Sequence, residues 1–139
     1  MAGAANWLLD TGPIVALLSR DDSAHVACSS AFESIRGKLL TSEAVLTEAI
    51  HLLGRRSDGA HACIDFFLRS GAILVPMTRP RLTRCRDLMV RYADTPMDFA
   101  DASLVSLAEE FSIGRVFTLD RRGFGTYRWR QTKPFTIAP

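Results

Sequence analysis

The sequence predicts an α/β domain in which helices cover a mainly parallel central sheet. Short apolar runs alternate with longer segments of helical periodicity along the whole chain, the pattern of strands connected by crossover helices. Two of those runs end directly in an aspartate, Asp10 and Asp120. This puts an acid at the carboxyl end of a strand, the edge at which parallel sheets bind ligands. The scale agrees: 139 residues with 47% hydrophobic and 23% charged content make one domain, residues 1–139, with a sizeable core.

Asn6-Trp-Leu-Leu-Asp10 is the first expected strand, followed by a tight turn and a helix opening at Pro13 over Ile14 to Leu18. Asp10 then faces the ligand crevice; capping of the following helix by Asp10 or Thr11 accounts for the same residues. Ser23 to Ile35 has helical spacing with Ala24, Ala27, Ala31, Phe32 and Ile35 inward, stopped by Gly37. Leu39-Leu-Thr41 is a brief strand feeding a helix capped by Ser42, with Val45, Ala49, Leu52 and Leu53 as its buried stripe. Glu48 borders that stripe, where an unpaired charge costs several kcal/mol. Gly54 to Gly59 reads as a turn, and Ala60 to Ser70 as a helix with Cys63, Ile64, Phe67 and Leu68 inward, ended by Gly71. Ala72 to Val75 is a third strand. Arg79 to Tyr92 is an arginine-rich helix packing through Leu82, Leu88, Met89 and Tyr92, with a solvated charged face. Val116 to Leu119 is a further strand, and Phe135 to Ile137 an edge strand.

Thr95 to Glu110 carries the most information. Thr95 as N-cap and Pro96 as first helical residue open a helix whose stripe is Ala100, Leu104, Leu107, Ala108 and Phe111. Asp98 and Asp101 are three apart, so their side chains leave one side of the helix about 5–6 Å apart at Cβ. Asp98 has a structural explanation at capping-box distance from Thr95. Asp101 lies further in, borders the apolar stripe, and is not explained as a cap.

Composition excludes several classes. No apolar run reaches the roughly 20 residues of a membrane span, and Asp10 interrupts the first apolar segment, so a cytosolic protein is expected. Cys28, Cys63 and Cys85 are widely spaced without a C-x-x-C, and His25, His51 and His61 lack ligand spacing, so no disulfide framework or zinc site is signalled. The net charge of +2 is uneven, with Arg79, Arg81, Arg84, Arg86 and Arg91, then Arg121, Arg122, Arg128, Arg130 and Lys133, concentrated in the second half. Such clustering suits phosphate contacts; genomic base composition also enriches arginine without a functional cause.

Asp10, Asp120, Glu48 and Asp101 thus stand apart from the other acids, with Asp98 as a fifth candidate. Gathered in one crevice they repel one another, so they are protonated or compensated by a cation. Hard oxygen ligands select Mg²⁺ or Mn²⁺. Beside arginines, that chemistry suggests metal-assisted phosphodiester cleavage.

Leu9-Asp10-Thr11, Val45-Leu-Thr-Glu48, Asp101-Ala-Ser-Leu104 and Thr118-Leu-Asp-Arg-Arg122 with Phe124 following resemble, in order and spacing, the PIN-domain proteins, most closely the VapC-like ribonuclease toxins. The resemblance spans essentially the whole chain. It implies a PIN-like three-layer α/β/α sandwich and an Mg²⁺- or Mn²⁺-dependent endoribonuclease acting on tRNA, rRNA or mRNA. It further implies a homodimer neutralised by a cognate antitoxin. By the same resemblance Asp10, Glu48, Asp101 and Asp120 match the catalytic, metal-binding acids and Asp98 an additional acid. Thr118 matches a supporting hydroxyl residue, with Thr11 beside Asp10 in the same role; Arg121 and Arg122 are the candidate contacts to RNA phosphates. Gly123 departs from relatives that carry an acid or histidine there. The alternative is a PIN-like module that binds a protein or nucleic acid without catalysis; a small-substrate phosphatase is a third reading.

Overall fold

The computed structural model describes residues 5–54 and 59–139; the expected turn at 55–58 lies outside them. Five short strands form one parallel sheet: β1 (Trp7–Leu9), β2 (Leu39–Ser42), β3 (Ile73–Val75), β4 (Arg115–Phe117) and β5 (Thr136–Ala138), in the order β3-β2-β1-β4-β5. Leu8 pairs with Leu40 on one side and Val116 on the other, and all three are buried. Such two-sided burial explains why these runs are apolar without alternation.

The helices are α1 (Thr11–Leu18), α2 (His25–Ser34), α3 (Glu43–Leu53), α4 (Gly59–Ser70), α5 (Arg79–Arg91), α6 (Phe99–Phe111) and α7 (Arg121–Thr126). Connections from β1 to β2 to β3 step one way across the sheet, whereas the crossover from β3 to β4 returns the other way. With right-handed crossovers, α1 to α4 therefore cover one face and α5 and α6 the other, an α/β/α sandwich. The strand order reverses between β1 and β4. A crevice forms at their carboxyl ends, where parallel sheets bind ligands.

Several boundaries differ from the sequence expectation: α2 begins at His25 rather than Ser23, and β4 ends at Phe117 rather than Leu119. Thr95 and Pro96 lie in a turn, and α6 begins three residues later with Asp98 as N-cap. Helix α1 begins at Thr11 rather than Pro13, capped by Asp10. Helix α7 was not expected at all: glycines at 123 and 125 and arginines in its first turn oppose helix formation. Its Asp120 cap supplies a compensating acceptor.

Several residues expected inward are exposed: Ala27, Leu52, Ile64, Leu68, Leu82 and Phe111. In α2, α4 and α5 the buried stripe is narrower than the apolar one and centres on Cys28, on Cys63 and Phe67, and on Cys85 and Leu88. The three cysteines are free and buried. Helix α6 departs the other way, with every residue from Ala102 to Ala108 buried. Its alanines and serines let the sheet, α3 and α5 approach on all sides, so no single stripe describes it. Gly71, at φ +73°, ends α4 in the left-handed conformation that glycine adopts without strain.

Candidate active site

The crevice is built by helix starts. Asp10 follows β1 and closes onto α1, its Oδ1 accepting from the Thr11 N–H at 2.8 Å. Its other oxygen accepts from the Thr118 hydroxyl at 2.5 Å, and that hydroxyl in turn accepts from the Asp120 N–H at 3.0 Å. Thr118 is wholly buried and ties the ends of β1 and β4 together. Asp120 begins α7, with Oδ1 accepting from the Gly123 N–H at 2.9 Å.

Helix α6 contributes Asp98 and Asp101 as a reciprocal capping box. Asp98 Oδ1 accepts from the Asp101 N–H at 2.8 Å, and Asp101 Oδ2 accepts from the Asp98 N–H at 3.2 Å. This corrects the expectation that Asp101 has no capping role. The box is displaced three residues from its expected Thr95–Asp98 position because Asp98 itself is the N-cap. Tyr127 also reaches Asp101, its hydroxyl donating to Oδ2 at 3.3 Å.

Glu48 comes from α3, whose start is fixed against α6. The Ser103 hydroxyl donates to the Ala100 carbonyl at 2.6 Å, so Ser42 donates to Ser103 Oγ at 2.7 Å. Ser42 Oγ also caps α3 through the Val45 N–H. Glu48 and Leu52, one turn apart, both face the crevice, which is why Leu52 leaves the core.

Asp10, Glu48, Asp98, Asp101 and Asp120 line a single cavity of about 340 Å³, joined by Thr11, Gly12, Leu52 and Leu119. All of the sequence-selected acids are therefore brought together. Burial, and then the charges of Asp98 and Asp10, push Asp101 up to about 7. Burial raises Asp10 despite its Thr118 and Thr11 hydrogen bonds, and Asp120 and Asp98 add repulsion. Glu48 is raised by burial and by Asp98 and Asp10. Burial and then Asp101 raise the Tyr127 phenol, so at neutral pH it is protonated and can donate.

The donor set suits a hard divalent cation: carboxylate oxygens share one cavity, and burial and mutual repulsion raise three of their groups, which positive charge would relieve. The Thr11 hydroxyl supports the fit, because its oxygen is buried in the cavity wall without a hydrogen-bond partner among the described residues. Yet among those residues no three Asp, Glu, His or Cys side chains are grouped closely enough to hold a metal as they stand. All four aspartates are instead drawn onto helix N-termini.

Of the arginines, Arg121 donates to the Pro139 carbonyl, while the Arg122 guanidinium is exposed and has no partner among the described residues. Several other basic residues are used internally. Arg81 and Arg84 pair with Glu110 and Glu109, and Arg128 and Arg130 bond backbone carbonyls. The C-terminal basic excess is thus partly an internal framework rather than a free phosphate-binding face.

Sequence reasoning missed Tyr127 and the reason for Gly123. A Cβ on Gly123 would stand 2.2 Å from Asp120 Oδ2 and 3.1 Å from the Tyr127 hydroxyl. The available signal was Tyr127 four residues beyond Gly123, one helical turn away; its use required knowing that α7 exists.

A five-stranded parallel sheet in the order 3-2-1-4-5, with strand-end and helix-cap acids in one crevice, defines an acidic-site α/β/α sandwich. The chain belongs to the PIN-domain family, whose model matches residues 7–129. It is 27% identical over 134 residues to ribonuclease VapC26 of Mycobacterium tuberculosis, covering 95% of this chain and 99% of that protein. Among solved structures it is similar to M. tuberculosis VapC20, a toxin that cleaves the sarcin-ricin loop. There the TM-score is 0.74 and the identity 22%, with 84% of this chain and 91% of that one covered. It is also similar to VapBC2 of Rickettsia felis, bound to a promoter DNA fragment. That match has a TM-score of 0.66 at 12% identity and covers 96% and 99% of the two chains.

Proposed function

We propose that this chain, as one PIN-like domain, is a divalent-metal-dependent endoribonuclease and the toxin of a toxin–antitoxin pair. The observation that carries the reading is the crevice, where five carboxylates and an unpartnered threonine hydroxyl share one small cavity. The family match and the likeness to ribonuclease VapC26 support an RNA substrate. Solved neighbours that are toxin–antitoxin complexes support an antitoxin partner. A homodimer and a cytoplasmic location complete the reading; among the described residues no helix is long and apolar enough to cross a membrane.

Asp10, Glu48, Asp101 and Asp120 would hold Mg²⁺ or Mn²⁺, with Asp98 as an additional ligand. When bound, the ion supplies Lewis acidity toward the phosphodiester and compensates the crowded charge. Thr118 aims Asp10 and ties it to the backbone of Asp120. Arg122, and Arg121 beside it, contact RNA phosphates at the start of α7. A neighbouring cavity of about 670 Å³ shares Glu48 and Asp98 with the crevice and is walled by His51 and Phe99, giving room for a nucleotide next to the carboxylates.

One observation favours a second reading, a binding module without catalysis: Asp10, Asp98, Asp101 and Asp120 all serve helix caps. Cleavage of purified RNA separates the two. The parent should cleave with Mg²⁺, and excess EDTA, Asp10→Asn and Asp101→Asn should each abolish cleavage while far-ultraviolet circular dichroism stays unchanged. Activity that persists in EDTA or in both variants contradicts the nuclease reading. Hydrolysis of small phosphomonoesters in preference to RNA would point to a phosphatase instead.

A further inference from the structure

We propose that Tyr127 is a positioning residue for the Asp101 carboxylate, and that glycine at 123 is what admits it; the inference rests on the metal-site reading above. The Tyr127 ring is buried, 1% exposed, and is held edge-on by Tyr92 at 5.1 Å and Phe124 at 5.2 Å between centroids. Those contacts need only a ring, and phenylalanine would satisfy them equally. A phenolic hydroxyl in such a position costs free energy unless it is bonded. Its bond goes to Asp101 Oδ2.

That oxygen also takes the Asp98 N–H, so two donors converge on Oδ2, while Oδ1 accepts no hydrogen bond among the described residues. Two donors from different elements fix the rotation of a carboxylate more firmly than the helix cap alone, and leave Oδ1 for a ligand. Gly123 lies between this pair and Asp120. Any side chain there meets both Asp120 Oδ2 and the Tyr127 hydroxyl, so one glycine keeps two of the acids in their orientations. Partners of this kind typically change metal affinity by 10- to 100-fold. With a bond as long as 3.3 Å, the lower end is expected.

The test is a titration of the full chain with Mn²⁺ alone, following the electron paramagnetic resonance signal of the free ion, with a melting curve in EDTA for each variant. Tyr127→Phe should weaken Mn²⁺ binding about tenfold while its melting temperature in EDTA stays near that of the parent. Gly123→Ala should weaken binding at least as much, and the double variant by less than the product of the two. Asp101→Asn should remove the site. If Asp101→Asn loses Mn²⁺ but Tyr127→Phe keeps the parent's affinity, whether or not it melts lower, Tyr127 is packing alone and the proposal falls while the metal site stands. A parent with no saturable uptake overturns both.

Discussion

The two ends of α6 treat the same chemical group in opposite ways. At the N-terminus, Asp98 and Asp101 sit where the helix dipole welcomes negative charge. They are nonetheless crowded with Asp10 and Glu48, and Asp101 is pushed up to about 7. At the C-terminus, Glu109 and Glu110 sit where the dipole opposes them, and each is compensated. Arg84 grips Glu109 through two bonds of 2.6 and 2.9 Å, Arg81 grips Glu110 at 2.7 and 2.9 Å, and the Arg130 N–H adds a further bond to Glu109. Arg81 holds Glu110 below its usual range. Where the chain needs acids only for architecture, it supplies arginines. At the other end it supplies none to Asp98 or Asp101 among the described residues, and on the reading proposed above a bound cation would compensate them.

The contrast can be broken first at its paired end. Glu109→Ala removes the bidentate partner of Arg84 and an acceptor of the Arg130 backbone. It should cost about 2 kcal/mol, measured by urea unfolding, with RNA cleavage per folded molecule unchanged. Lost cleavage at full stability would mean that the seam belongs to the site.

A smaller effect, on the order of 1–2 kcal/mol, is expected from pH in the metal-free protein. Asp101 moves from 3.8 to about 7 on folding, so the folded chain binds its proton more tightly than the unfolded chain does. Stability then falls as pH rises from about 4 to about 7, and Asp10 and Glu48 act in the same direction. Glu110 opposes this only near and below its ordinary 4.5. Melting curves in EDTA between pH 5 and 7.5 should show the decline, and Mg²⁺ should flatten it. A profile that rises over that range contradicts the unpaired acidic end.

Asp98→Asn sharpens the comparison, because asparagine caps as well as aspartate but carries no charge. In EDTA at pH 7 it should gain about 0.5–1 kcal/mol in thermal stability, relief of repulsion outweighing the loss of a dipole contact. Destabilisation instead would make Asp98 mainly a cap. The smallest effect belongs to Arg81→Ala: its pair with Glu110 is largely at the surface, so at most about 1 kcal/mol should be lost and high salt should erase part of that.

The sheet was legible because its three central strands are buried on both faces and read as plain apolar runs; Leu8, Leu40 and Val116 are such residues. Asp10 was legible because a strand ending directly in an acid is a local pattern; for Asp120 the expected strand ran too far, since β4 ends at Phe117 and Asp120 caps α7. Glu48 and Asp101, selected beside apolar stripes, do line one crevice, but for Asp101 one of the reasons was wrong, since Asp101 is also half of a capping box. That error follows from competing N-caps: Thr95-Pro96 is a valid start signal, and only packing moves the start to Asp98. Tyr127 and α7 were not legible, because a glycine that opposes a helix locally is required there by contacts from Asp120 and Tyr127.

On the reading proposed above, the acidic end of α6, Glu48, Asp10 and Asp120 together hold a divalent cation. Isothermal titration calorimetry of the parent and of Asp10→Asn with Mn²⁺ tests it most directly. Saturable uptake by the parent, lost in Asp10→Asn with the fold intact, is the predicted result; no uptake by the parent, or equal uptake by both, would contradict it.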